Sequence, residues 1–407
     1  MNIKIKNFKL TLAFLTISPV VGFLKPLLVS IIDGESQFGN YTLAIAYSAW
    51  ISYIINSGIY EGLLKRYANF FEDGQQDKII DLNQKVSSFW LLLLIFISLV
   101  ASSMALILNL YYLSAILLLS FATVSFNIYS SRYRVVSNIL RISSIQLVRL
   151  AVSLSLTYIL IKNTNLSLDI ILFIDALVLC IISMLIFSPS FIATLNFKFF
   201  IKDYFEISST AISLTYVSGL RALCLLLERQ SASFLFEDEM FSQYAQILLL
   251  FQAAIVGFGL IPQLWQQNII YWTIRNGVQK SLVMQSCFIL LLLFLWIILW
   301  TVLHSISFNN PFKETMIVIL IIGCAGIVYG ASFIDSILLG TKKVQGLVQV
   351  YICTVISWLI AMAIFTSTYQ SWSLEYQASS LFLLCLIIII IPGLYVNWKS
   401  RADKSIN

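Results

Sequence analysis

Apolar runs of about 20 residues recur along the chain, separated by short segments that carry the charged residues. A helix of that length, rising about 1.5 Å per residue, crosses the roughly 30 Å hydrocarbon core of a bilayer. The runs predict twelve membrane-spanning helices, over 8–30, 39–60, 87–109, 111–130, 142–161, 169–188, 207–227, 242–263, 281–301, 315–340, 346–366 and 377–396. The predicted fold class is therefore an all-α polytopic membrane protein.

The loops between these runs are too short to fold into a further domain. Twelve helices of about 21 residues leave about 12 residues for each tail or loop, whereas a folded domain needs about 50 residues or more. Only 11% of the residues are charged, against roughly 25% in a soluble domain. Any function must therefore lie among the helices, which favours transport over catalysis.

Motifs for catalysis or cofactor binding do not occur in the sequence. His304 is the single histidine, and no Walker A, G-x-G-x-x-G, G-x-S-x-G or H-E-x-x-H pattern is found. A membrane polysaccharide polymerase needs a sizeable outer loop, whereas the longest outer loop predicted here has about 14 residues. We therefore expect no enzyme activity, no catalytic residues, no metal and no cofactor.

The distribution of Lys and Arg orients the predicted helices, because cationic residues resist translocation and stay cytoplasmic. In the loops, only Lys162, Arg229 and Lys313 fall on the side opposite to the termini, which also carries the acidic run Glu237–Glu239. Both termini are therefore predicted to be cytoplasmic. The net charge of +6 follows from this asymmetry and indicates no nucleic acid partner.

A short motif repeats about half a chain apart. Residues 38–41 read Phe-Gly-Asn-Tyr after the first predicted span, and residues 241–244 read Phe-Ser-Gln-Tyr after the seventh. Six helices per repeat keep one orientation, so two such bundles are related by an axis along the membrane normal and enclose a cavity. The predicted domains are an N-terminal six-helix bundle over 1–190, a cytoplasmic linker over 191–206, a C-terminal six-helix bundle over 207–396 and a cytoplasmic tail over 397–407.

Five charged residues lie inside predicted spans and away from the span ends, where a charge costs at least about 2.5 to 3.5 kcal/mol and is expected to face a cavity or a partner. They are Lys25, Arg149, Asp175, Arg221 and Asp335. Helical spacing puts Ser18 on the face of Lys25, and Gln146, Ser153 and Thr157 on the face of Arg149. In the second span, Ser48, Ser52 and Asn56 follow one another at steps of four residues.

These side chains predict a cationic, hydrogen-bonding cavity between the two bundles. Arg presents a planar fork of donors that fits phosphate oxygens, whereas hydroxyl and amide groups hydrogen-bond sugars. The predicted substrate-binding residues are Arg149, Arg221, Lys25, Asn56, Ser52, Gln146 and Ser18, and the candidate ion-coupling residues are Asp175 and Asp335. A purely structural interpretation stays open, since Lys25 and Asp175 lie within snorkelling distance of the outer interface and Asp335 lies near the cytoplasmic end.

The chain resembles the polysaccharide flippases of the multidrug/oligosaccharidyl-lipid/polysaccharide (MOP) exporter superfamily, in particular bacterial O-antigen unit flippases. The resemblance lies in the twelve predicted spans with short loops, the Phe-Gly-Asn-Tyr at 38–41 and the stretch 228–245. The chain departs from their pattern at 35–37, where Glu-Ser-Gln replaces a common Leu-Gly pair. The resemblance implies a MATE-like arrangement of two bundles around a central cavity.

The resemblance also implies a function and a location. A polyprenyl-diphosphate-linked oligosaccharide would pass by alternating access from the cytoplasmic to the outer leaflet of a bacterial inner membrane. The implied partners are that lipid-linked substrate, membrane lipids, a polysaccharide polymerase and a chain-length protein. The alternative is a cation-coupled exporter of small drugs, which would favour acidic residues deep in the cavity, whereas the deepest charges here are Arg149 and Arg221.

Overall fold

The computed structural model of the chain describes residues 17, 21–22, 24–30, 35–135, 139–164, 166–187, 204–209 and 212–246, with single residues and pairs between 248 and 363. Its helices are α1 (Glu35–Asn56), α2 (Ile59–Glu72), α3 (Gln76–Leu108), α4 (Tyr111–Val135), α5 (Ile139–Asn163), α6 (Leu168–Phe187) and α7 (Ile212–Leu235). Residues 24–30 and 204–209 are also helical, and these ranges contain no strand.

Within the described residues, four helices are long and apolar enough to cross a bilayer, namely Gln76–Leu108, Tyr111–Tyr133, Leu140–Asn163 and Leu168–Phe187. They correspond to the predicted spans 87–109, 111–130, 142–161 and 169–188. A tight turn joins the first two of these helices, because Asn109 takes a left-handed conformation with φ of 56°, which Asn tolerates better than most residues. Most predicted spans after α7 lie outside the described residues, so the count of twelve stays a prediction.

Helix α4 is the centre of the described bundle and packs against α1, α2, α3, α5 and α6. Small side chains make this possible, since Ser114, Ala115, Ser120, Ala122 and Ser125 are all fully or almost fully buried. Small residues let helix backbones approach closely inside a membrane, where lipid provides little hydrophobic drive for association. The sequence of α4 therefore fits the interior of the bundle rather than its lipid-facing surface.

The outer surface of the bundle is apolar. On α3 the exposed side chains include Phe96, Leu99 and Leu106, whereas Ser88 and Ser98 on the same helix are buried. This distribution is the reverse of that in a soluble protein and is expected when the solvent is lipid. The polar groups inside the bundle are therefore the candidates for function.

A left-handed break divides the second predicted span, 39–60, into α1 and α2. Ser57 and Gly58 have φ angles of 42° and 86°, and the Gly58 position is crowded, since a Cβ there would lie 2.8 Å from the backbone nitrogen of Ile212. Glycine meets both demands because it has no Cβ and adopts positive φ readily. The helix therefore ends at Asn56 rather than at the predicted boundary.

Contacts divide the chain into two compact units, residues 1–226 and residues 227–407. Nearly all of the predicted linker, and much of the predicted C-terminal bundle, lies outside the described residues. The predicted domain division at 190 and 207 therefore stays a prediction.

Candidate substrate-binding site

Lys25 and Asp175 form a buried ion pair that joins the helical segment 24–30 to α6. The Lys25 side chain is 13% exposed and that of Asp175 is 1% exposed. Ser153 of α5 completes the cluster: Lys25 Nζ donates to Ser153 Oγ at 2.9 Å, and the Ser153 hydroxyl donates to Asp175 Oδ1 at 2.7 Å. A predicted substrate-binding residue and a predicted ion-coupling residue thus neutralise each other.

Arg149 lies on α5, one turn before the serine of that cluster, and packs against α4. Its guanidinium carbon is 4.6 Å from the centre of the Phe126 ring, and Nη1 is 3.5 Å from the carbonyl oxygen of Ala122. Its buried Nε has no hydrogen-bond partner within the described part of the chain. Asp175 pairs directly with Lys25, so the Arg149 guanidinium interacts with that carboxylate electrostatically but forms no salt bridge with it.

The predicted polar stripe of α5 faces the interior of the bundle. Ser153 and Thr157 are buried, and Gln146 is half-buried. On the opposite face Val148 and Ile159 are exposed. Helical spacing in the sequence therefore identified the buried face of α5, whereas the lining of a cavity between the two bundles by this face stays a prediction.

Two predicted residues of α1 have local partners. The Ser52 hydroxyl donates to the carbonyl oxygen of Ala49 at 2.6 Å. The Asn56 side chain donates to Glu61 Oε2 at 2.9 Å and accepts from the backbone N–H of Tyr60 at 3.0 Å. Both side chains stabilise the backbone near the α1–α2 break, and their contact with a substrate stays a prediction.

Glu61 is a half-buried carboxylate that the sequence does not single out as a site residue. Its Oε2 accepts hydrogen bonds from Asn56 and from Thr215 Oγ1 of α7, the second at 3.0 Å. Close by, the Ser208 hydroxyl donates to the carbonyl oxygen of Ser57. The contact between Glu61 and Thr215 joins residues 154 positions apart, and no local sequence pattern predicts it. From the sequence alone, Glu61 is therefore indistinguishable from other charged residues at the ends of spans.

Three predicted site residues cannot be placed. Ser18 and Asp335 lie outside the described residues, and so does the side chain of Arg221, whose backbone belongs to α7. Their roles stay predictions. Within the described ranges, no group of three or more His, Cys, Asp or Glu side chains is placed to hold a metal ion.

A second charged cluster lies at the end of α7. Glu228 and Arg229 belong to this helix rather than to an outer loop, because α7 extends to Leu235, beyond the predicted end at 227. Both residues are buried, and the Tyr244 hydroxyl donates a hydrogen bond to the Glu228 carboxylate. The Phe236 ring packs edge-on against Tyr244, with 6.1 Å between ring centres.

The two clusters occupy equivalent positions in the sequence repeat. The offset of 203 residues that relates Phe38 to Phe241 also relates Tyr41 to Tyr244 and Lys25 to Glu228. Tyr41 is buried and interacts electrostatically with Lys25. Each half therefore places a charged residue beside the tyrosine of its Phe-x-x-Tyr motif, with opposite sign in the two halves.

Comparison with known proteins gives a clear result only for structure. No protein-family model matches this sequence, and no curated protein matches it. An inward-facing multidrug resistance MATE family transporter of the MOP superfamily aligns over 98% of this chain and 99% of that chain, with a TM-score of 0.65 and 11% sequence identity. The bent form of the Vibrio cholerae MATE transporter VcmN aligns over 97% and 93%, with a TM-score of 0.58 and 13% identity.

The binding pocket of a third similar structure is of particular interest. A MOP superfamily transporter from Pyrococcus furiosus aligns over 97% of this chain and 94% of that chain, with a TM-score of 0.50 and 10% identity. Its pocket is described as having reverse polarity, which suggests a different function for that protein. Together with the apolar helices, these matches confirm the predicted fold class: the chain is an all-α polytopic membrane protein with the fold of the MATE transporters of the MOP superfamily.

Proposed function

We propose that the chain is a flippase that moves a polyprenyl-diphosphate-linked oligosaccharide from the cytoplasmic to the outer leaflet of a bacterial inner membrane. Similarity of fold to MOP superfamily transporters supports transport as the general activity. The sequence resemblance to O-antigen unit flippases supports the substrate class. The observation that carries the proposal is the charge balance of the interior cluster formed by Lys25, Ser153, Asp175 and the neighbouring Arg149.

That cluster has a net positive charge. Lys25 and Asp175 cancel each other, whereas Arg149 has an unpartnered Nε and no salt bridge to a described carboxylate. A guanidinium offers five N–H donors and is weakly hydrated, so it suits phosphate oxygens better than an ammonium does. A diphosphate head group supplies the acceptors and the negative charge that Arg149 lacks.

A transport cycle follows from the fold. The head group is held by the basic residues while the polyprenyl tail stays in the bilayer, and rocking of the two predicted bundles exposes the site outward. Gln146 and the Arg149 side chain lie on the same inward face of α5, so sugar hydroxyls and phosphate oxygens can bind one helix. The protein then acts without chemical catalysis, beside a polysaccharide polymerase and a chain-length protein, with both termini cytoplasmic.

Export of small drugs is the alternative, and the similar structures include multidrug resistance transporters. A cationic drug needs a net negative site. In the described part of the chain the buried carboxylate nearest to Arg149 is neutralised by Lys25, which opposes this alternative. The reverse polarity of the pocket in the Pyrococcus furiosus transporter suggests a different function for that protein, so similarity of fold does not by itself favour the exporter.

The test is a flipping assay in reconstituted vesicles with a fluorescent polyprenyl-diphosphate-linked sugar. We expect Arg149→Ala to slow flipping by about 10- to 100-fold, because a hydrogen bond to a charged group contributes about 1.5–3 kcal/mol. Lys162→Ala is the matched control, since it removes one charge from the exposed end of the same helix. It should flip at the wild-type rate.

A cationic dye separates the two candidate functions in the same vesicles. The flippase proposal expects no ion-driven dye transport by the wild type and a loss of flipping in Arg149→Ala. If the wild-type protein transports the dye but does not flip the lipid-linked sugar, the flippase proposal is refuted in favour of the small-drug exporter. Full flipping by Arg149→Ala at normal protein levels would refute the role given to this residue.

A further inference from the structure

Two arginines flank one tyrosine ring where α4 ends and α5 begins. The guanidinium carbon of Arg141 lies 4.8 Å from the centre of the Tyr133 ring, and that of Arg132 lies 5.6 Å from it. Arg141 is exposed, whereas Arg132 and Tyr133 are half-buried. The two cations are therefore held close together at one end of the bundle, and we call these three residues the Arg–Tyr platform.

The platform rests on a buried aromatic base. Tyr129 lies 5.1 Å from Tyr133 and 6.0 Å from Phe187 of α6, between ring centres. Tyr129 and Phe187 are buried, and the Arg141 side chain donates a hydrogen bond to the Tyr129 hydroxyl. Rings packed in this way restrict the tyrosine, so both guanidinium groups are positioned before any ligand binds.

The platform lies at the boundary between membrane and water. Helix α4 ends at Val135 and α5 begins at Ile139, and Arg132 and Arg141 belong to the basic segment that separates the two apolar runs at this end of the helices. A guanidinium has five N–H donors, so one that contacts a ring and donates to a tyrosine hydroxyl has further donors for oxygen acceptors. Lipid phosphates occupy this depth of the bilayer.

We propose that the Arg–Tyr platform binds the phosphodiester headgroup of an anionic membrane phospholipid. This site is separate from the interior cluster around Arg149 and does not depend on the identity of the transported substrate. Charge complementarity identifies the ligand: two fixed cations at headgroup depth match one or two phosphodiester oxygens. The Tyr133 ring at the interface supplies an apolar contact for the adjoining glycerol.

Native mass spectrometry of the purified full chain, titrated with phosphatidylglycerol and with phosphatidylcholine, tests this proposal. The variants are Arg132→Ala with Arg141→Ala, and the neutral pair Arg132→Gln with Arg141→Gln, which keeps more of the side-chain packing. The control is Lys78→Ala with Lys162→Ala, which removes two cations that also lie over aromatic rings, at 5.8 Å and 5.5 Å.

We expect phosphatidylglycerol to bind the double Ala and double Gln variants about thirtyfold more weakly than the wild type, because each basic residue near a bilayer surface contributes about 1 kcal/mol. The lysine control should stay within about threefold of the wild type, and phosphatidylcholine should bind all proteins alike. Wild-type affinity in either folded arginine variant would overturn the proposal. So would an equal loss in the lysine control, or binding of farnesyl diphosphate without binding of phosphatidylglycerol.

Discussion

Replacing Asp175 by Asn isolates the energetics of the buried ion pair. Asparagine is nearly isosteric and still accepts the hydrogen bond from Ser153, but it removes the negative charge beside Lys25. The ammonium is then left 13% exposed inside the bundle without its counter-ion. Breaking one partner of a buried pair costs about 3–5 kcal/mol, because the remaining charge stays desolvated.

This cost converts into a measurable shift in melting temperature. At about 2.1 cal/mol/K per residue, the 407 residues give an unfolding entropy of about 0.85 kcal/mol/K. We therefore expect Asp175→Asn to lower Tm by about 4–6 °C in detergent micelles, followed by the fluorescence of the native tryptophans. Asp169→Asn removes an exposed carboxylate from the same helix and should change Tm by about 1 °C or less.

A double variant distinguishes loss of pairing from loss of packing. Lys25→Met with Asp175→Leu removes both charges and keeps apolar volume, which is often neutral or stabilising for a buried pair. We expect its Tm to return to within about 1 °C of the wild type. A double variant as unstable as Asp175→Asn would refute the ion-pair reasoning, and so would an Asp175→Asn protein that melts with the wild type. A stable neutral pair also allows the flipping assay to test Lys25 apart from folding.

Two further substitutions test packing and burial. Gly62→Ala would place a Cβ against the carbonyl oxygen of Ile207 and should lower the free energy of unfolding by about 1–3 kcal/mol, as followed in a thermal melt. Gly22→Ala is the control, because the nearest atom to its Cβ would lie at 3.5 Å, and it should be close to neutral. Tyr244→Phe removes a hydrogen bond to the buried Glu228 carboxylate and should cost about 1.5–3 kcal/mol in the same assay. An unchanged Tm in either test variant would contradict the described contacts.

The sequence was most informative about single helices. Apolar length identified the four spans from α3 to α6, and helical spacing identified the inward face of α5, where Ser153 and Thr157 are buried. Both properties are local, because they depend only on residues within a few turns. The left-handed break at Ser57 and Gly58 was missed, since an isolated glycine within an apolar run does not by itself end a helix.

Partnerships between helices were not accessible to the same reasoning. Lys25 and Asp175 were each expected near the outer interface, but helical angles cannot show that two faces 150 residues apart meet. The extension of α3 back to Gln76 was missed for another reason. Charged residues mark the edge of the membrane and so indicate the end of the span, although they allow an amphipathic helix to continue into water.

The two halves of the chain share only the short Phe-x-x-Tyr motif in sequence, and the residues beside its tyrosine differ. Tyr41 and Tyr244 are both buried beside a charged residue, Lys25 in one case and Glu228 in the other. A phenol hydroxyl both donates and accepts, so the same scaffold position can accommodate an ammonium or a carboxylate. Packing then constrains the tyrosine, whereas the charged residue beside it can differ between the two halves according to function. A positive charge beside the tyrosine in the first half therefore does not require a positive charge in the second half. The contribution of Lys25 and that of Glu228 must be tested by separate substitutions.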